Sequence, residues 1–120
     1  MHYNIKTTDF DMTPEVSQYL DTKLTALDKY VSKDDESVKC DVEIGKTTNH
    51  HQSGDIFRVE INVTMGKKLF RAESSEASIE AAIDVTKDEI TRQLKREKNK
   101  RTTLFRKGGE KIKRILRFGR

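Results

Sequence analysis

Residues 57–94 read FRVEINVTMGKKLFRAESSEASIEAAIDVTKDEITRQL, and the spacing of their apolar residues changes partway along. Phe57, Val59, Ile61, Val63 and Met65 alternate with Arg58, Glu60, Asn62 and Thr64, the period of two that a half-buried strand requires. Gly66-Lys67-Lys68 reads as a hairpin turn, and Phe70 and Ala72 carry a short returning strand. Ser74 or Ser75 is placed to cap a helix. Ile79, Ile83, Ile90 and Leu94 then recur at helical spacing, with Ala82 and Thr86 beside them. A hairpin that runs into an amphipathic helix predicts a sheet with a helix laid on one face.

Upstream, Val38, Cys40, Val42 and Ile44 alternate with Lys39, Asp41 and Glu43, which adds a third strand to an antiparallel meander. Lys33-Asp34-Asp35-Glu36 makes a polar turn before it, and Thr47 to Asp55 a polar loop after it. Tyr3, Ile5 and Thr7 alternate with Asn4 and Lys6, so the chain opens with a short strand that has one face inward. Thr13-Pro14-Glu15 supplies an N-cap, a residue suited to the first helical position and an acid at the positive end of the dipole. Val16, Leu20, Leu24, Leu27 and Val31 continue one face of a helix over about 14–31.

Strand, helix, three strands, helix is the order of an α+β fold. The predicted architecture is a two-layer βαβββα sandwich over residues 1–104, a four-stranded mixed sheet with two helices on one face. Its elements resemble those of a double-stranded RNA-binding domain. The other sheet face carries Lys39, Asp41, Glu43, Arg58, Glu60 and Asn62, which water can cover.

Hydrophobic residues make up 33% of the 120-residue chain and charged residues 37%, so the core is small. The charge is distributed unevenly. Residues 1–84 hold ten Lys/Arg against sixteen Asp/Glu, and residues 85–120 hold fourteen against four, within a net charge of +4. One end is built to sit against polyanion. The second helix is expected over about 76–100 or slightly beyond. Arg92, Lys95, Arg96 and Lys100 lie opposite its apolar stripe, and Glu97 lies close to the stripe. Gly108-Gly109 is expected to break the helix and leave 105–120 as a basic flexible tail. Ile112, Ile115, Leu116 and Phe118 are interleaved there with Lys and Arg.

Site chemistry of an enzyme is missing from the pattern. His50-His51 are neighbours in a polar loop, and His2 stands alone. No Cys or carboxylate completes a metal spacing. Cys40 is in phase with Val38 and Val42, as a buried apolar thiol would be, and a single Cys suits a reducing cytoplasm. There is no phosphate loop, nucleophile elbow or paired-acid motif, so neither a catalytic function nor a cofactor is expected. No apolar run approaches the ~20 residues of a membrane span, and Met1 to Phe10 lacks the form of a signal peptide. RNA fits better than DNA, because no helix-turn-helix or zinc finger is present to enter a major groove.

Glu80-Ala81-Ala82-Ile83-Asp84, then Thr91-Arg92-Gln93-Leu94-Lys95 and Lys98/Lys100, resemble the second helix of the ribosome hibernation-promoting factors, also called ribosome-associated inhibitor A or Sigma-54 modulation proteins. Asn4-Ile5 and Thr13-Pro14, with Leu20, Lys23-Leu24, Leu27 and Lys29-Tyr30, agree with the start of that family, and the resemblance covers about residues 1–101. It implies a bacterial cytoplasmic translation inhibitor, monomeric off the ribosome. Its partner would be the small ribosomal subunit, with 16S-type rRNA and neighbouring ribosomal proteins. It would occupy the mRNA/tRNA channel near the decoding site in stationary phase or stress. Carried over, the rRNA-binding residues are Lys23 and Lys29 on the first helix, and Lys87, Arg92, Lys95, Arg96, Lys98, Lys100 and Arg101 on the second.

The family often has Lys near positions 26 and 89; Ala26 and Glu89 thin the patch toward its middle here. Long members add a domain that pairs ribosomes, and a short member that blocks pairing carries an acidic tail. The basic Phe105–Arg120 matches neither, which leaves open whether dimers are promoted or prevented. Two other readings stay open from the residues alone. One is a general double-stranded RNA-binding module. The other is a membrane-surface or partner-helix protein acting through Ile112–Phe118.

Overall fold

The computed structural model describes the backbone of residues 1–31, 35–48 and 54–118, with side chains through Leu104 and at Arg106. The elements are β1 (His2–Thr8), α1 (Pro14–Thr25), a 3₁₀ turn η1 (Asp28–Tyr30), β2 (Lys39–Thr48), β3 (Asp55–Met65), β4 (Lys68–Glu76) and α2 (Ile79–Phe118). The sheet order is β1-β2-β3-β4. β1 runs parallel to β2, and the other neighbours are antiparallel. This is the expected four-stranded mixed sheet with two helices.

The alternating residues set the register. Cys40 pairs with Val63, Val42 with Ile61 and Ile44 with Val59, so three apolar rungs face the same way. Leu20, Leu24, Leu27, Ile83, Ile90 and Leu94 cover them, all nearly or fully enclosed. Cys40 is buried as expected, and burial pushes its thiol pKa up to about 12. Thr86 is the polar member of the core, and its Oγ1 donates to the Val59 carbonyl at 3.3 Å. Gly66 has φ +60° at the first central position of the β3–β4 turn, the conformation a type II′ hairpin assigns to glycine. On the water side of the sheet, Arg58 and Arg71 bridge Glu60 and Glu73 into an ion network.

Several expectations are corrected. β1 is an edge strand, so Tyr3 and Ile5 share the core-side register yet stay 38% and 45% exposed, although the Tyr3 hydroxyl donates to the Leu24 carbonyl of α1 at 3.2 Å. α1 ends at Thr25, and the buried Leu27 and Val31 flank η1 on either side. Ser74 and Ser75 belong to β4, which pairs with β3 as far as Glu76. Ser78 caps α2 instead, its Oγ accepting from the Ala81 N–H at 3.1 Å. Thr13 does cap α1, accepting from the Val16 N–H. α2 passes Gly108-Gly109 without a break. A glycine costs a helix about 1 kcal/mol relative to alanine, and the surrounding Lys, Arg, Glu and Leu are good helix formers. The proposed boundary between residues 104 and 105 therefore falls inside one helix. His50-His51 and Lys33-Asp34 lie outside the described residues.

Candidate nucleic-acid interface

α1, η1 and α2 lie on the same side of the sheet, so their outer surfaces make one layer. α2 is amphipathic because its core-facing residues recur every three or four positions, which leaves Arg92, Lys95, Arg96 and Lys100 on the solvent side, all exposed. At about 100° per residue, Lys87, Lys98 and Arg101 fall toward α1, whereas Arg92, Arg96 and Lys100 fall toward β4. The sheet stops short of the helix's C-terminal part, and Leu104 is 59% exposed there.

The nine basic residues expected to meet RNA do not share one environment. Lys23, on the last turn of α1, reaches across to Asp84 of α2 at 3.4 Å and lies 5.2 Å from the centroid of the Tyr19 ring. The Tyr19 hydroxyl donates to the same carboxylate at 2.5 Å. These contacts raise the Tyr19 and Lys23 pKa values, chiefly through the hydrogen bonds to Asp84. Arg92 pairs with Glu89 at 2.7 Å, three residues back on the same helix. The other seven, Lys29, Lys87, Lys95, Arg96, Lys98, Lys100 and Arg101, have no carboxylate within 4.0 Å among the described residues.

Two of those seven are nevertheless held. The Lys98 ammonium donates to the Lys29 carbonyl at 2.9 Å, and the Arg101 guanidinium donates to the Tyr30 carbonyl at 3.4 Å. Lys29 itself lies 5.1 Å from the centroid of the Tyr30 ring. Glu97 sits on the opposite flank, only 9% exposed, and takes the Lys68 ammonium of β4. Lys68 holds the Glu97 carboxyl below the ordinary glutamate range. Gln93 donates to the Arg71 carbonyl at 2.9 Å and so covers part of the β4 edge.

The sequence shows which residues are basic but not their internal bonding. The partnership of Asp84 with Tyr19 and Lys23 bridges more than sixty residues of chain, and no local pattern signals it. The carbonyls of η1 carry no side-chain signal at all. Among the described residues no cluster of three or more His, Cys, Asp or Glu is arranged to hold a metal ion. No described helix is long and apolar enough to cross a membrane.

The family model described as Sigma 54 modulation protein / S30EA ribosomal protein matches residues 3–102. The chain is 29% identical over 110 residues to the ribosome hibernation promotion factor of Bacillus subtilis (strain 168). The match covers 91% of this chain and 54% of the relative, so the chain spans about half of that protein's length. Among solved structures, the Thermus thermophilus Protein Y N-terminal domain is similar with a TM-score of 0.64 and 27% identity, over 80% of this chain and 98% of that one. A ribosomal subunit interface protein from Coxiella burnetii shares the fold, with a TM-score of 0.64 at 14% identity over 82% and 99% of the two chains.

Proposed function

The chain belongs to the Sigma 54 modulation protein / S30EA ribosomal protein family, and we propose that it binds the small ribosomal subunit and silences it by occlusion. The basic layer of α2 and η1 would lie against 16S-type rRNA in the mRNA/tRNA channel near the decoding site, where messenger and tRNA otherwise sit. The inhibitor makes and breaks no bond. It works by filling space, in the bacterial cytoplasm, when ribosomes are idle in stationary phase or stress.

The observation that carries this reading is the set of seven cations without carboxylate partners among the described residues, spread over the outer surface of one helix and the adjoining turn. A surface of unpaired Lys and Arg repels itself until phosphate neutralises it, and each phosphate met releases counterions. On the opposite sheet face Arg58 and Arg71 are bridged to Glu60 and Glu73, which leaves little there to attract a polyanion.

Reversing Arg92, Arg96 and Lys100 to Glu tests the assignment. All three are exposed, so the fold should persist by circular dichroism. Co-sedimentation with purified small subunits should fall by at least about a hundredfold in affinity at ~0.1 M salt. Retained binding by the folded triple variant would refute this placement of the interface.

A further inference from the structure

We infer that β1 is a self-association edge, at which two copies of the chain join their sheets by pairing β1 antiparallel with β1 about a two-fold axis at Ile5. This surface is separate from the basic one: α2 packs against β4 and β3, and β1 is the opposite edge of the sheet.

The parallel ladder fixes which backbone groups of β1 are free. The His2 N–H bonds the Val38 carbonyl at 2.9 Å, and the pairing with β2 then continues residue by residue to Thr8 and Gly45. The N–H and C=O of one residue point to the same side of a strand, and the side alternates along it. His2, Asn4, Lys6 and Thr8 therefore aim at β2, whereas Tyr3, Ile5 and Thr7 aim outward. No hydrogen bond from the described residues reaches those outward groups. All seven residues of β1 are exposed, and the strand has neither a proline nor a bulge to guard it. The other edge is better protected, because Gln93 donates to the Arg71 carbonyl of β4.

A second copy of β1 fits this edge better than a strand of arbitrary sequence. With Ile5 opposite Ile5 of the second copy, Tyr3 faces Thr7, and every outward N–H and C=O of both strands finds a partner. Lys6 then faces Asn4, and His2 faces Thr8. Sliding the strands to the next compatible register sets Lys6 against Lys6 in one direction and against His2 in the other. Each slide also leaves an outward residue unpaired, so charge and hydrogen bonding select the same register. On the helix side of the joined sheet, the exposed Ile5 side chains meet at the axis and are covered from water. Tyr3 beside them is already fixed, its hydroxyl donating to the Leu24 carbonyl at 3.2 Å and to Asp28 at 2.5 Å, so pairing orders little more of it. The chain bends at Asp9, with φ +53°, which bounds the edge at Thr8. So short a strand pair buries well under the ~1,200 Å² of a stable complex. Its dissociation constant is therefore expected at about 10–100 µM, and the dilute chain is monomeric.

Sedimentation velocity of the full chain from ~5 to ~500 µM should show monomer passing to dimer. Ile5→Lys sets like charges opposite each other at the axis and should weaken the association at least about tenfold. Ile5→Pro should do the same, because it removes an outward N–H and leaves the bonds to β2 in place. Circular dichroism confirms that each variant is folded. Under mild oxidation Ile5→Cys should cross-link two copies, since opposed residues in an antiparallel pair bring their Cα atoms about 5.5 Å apart, within disulfide reach. Asn4→Cys, which faces Lys6 in this register, should not. A chain that stays monomeric throughout the range would overturn the proposal. So would a dimer indifferent to both folded Ile5 variants, or cross-linking that is equal at positions 4 and 5.

Discussion

The two ends of the seam between α1 and α2 use the same kinds of side chain to opposite effect. At one end, Lys23 meets the Asp84 carboxylate in a partly exposed ion pair, and its charge is offset there. At the other, Lys98 and Arg101 meet the carbonyls of η1, and their charge is kept. A count of lysines and arginines treats the ends as equal. The acceptor opposite each cation decides how much of its charge is left to attract a polyanion.

Both ends depend on one α2 packed onto the sheet, and loss of that packing is the most severe change. Leu94 is fully buried between them. Leu94→Ala should destabilise the fold by about 3 kcal/mol, roughly a hundredfold in the folding equilibrium, read as a lower urea midpoint with an unchanged slope. A loss under about 1 kcal/mol would mean that packing at Leu94 is not what fixes α2 to the sheet.

A smaller change sharpens the contrast. Asp84→Asn removes the carboxylate and makes the Lys23 end resemble the η1 corner. Affinity for small subunits should rise by about two- to fivefold at low salt, and the dependence of log affinity on log salt should steepen by up to about 0.9, the amount expected for one further phosphate contact. An unchanged slope would show that Lys23 stays out of contact even when freed. The smallest effect concerns pH. Glu97 and Glu60 are held below the ordinary glutamate value of 4.5, Glu97 by Lys68 and Glu60 first by Asn62 and then by the arginines. Their contribution to stability is complete above that value and fades as pH falls through the lowered one. Glu97→Gln should flatten the fall in thermal midpoint below about pH 4.5.

Much of this architecture is legible without coordinates, because it rests on local periodicity. Val59, Ile61 and Val63 declare a strand by alternation, Thr13-Pro14 declares a helix start, and Ile83, Ile90 and Leu94 declare the buried side of α2. What is not legible depends on distant partners. Ser74 and Ser75 look like caps until the ladder with β3 claims them. Tyr3 and Ile5 look inward-facing until β1 proves to be an edge that the helices leave open. Gly108-Gly109 looks like a stop, yet glycine only weakens a helix and does not forbid one. The interface follows the same rule. Its cations are visible in the chain, but Asp84 opposite Lys23 and the bare carbonyls opposite Lys98 and Arg101 exist only once η1 and α2 are docked.

Co-sedimentation of the wild-type chain with purified small subunits across a salt series, with and without bound tRNA, tests the central claim most directly. Occlusion of the channel predicts tight binding that weakens steeply with salt and is blocked by tRNA. Binding that ignores both salt and tRNA, or no binding at all, would contradict occlusion of the channel through this face.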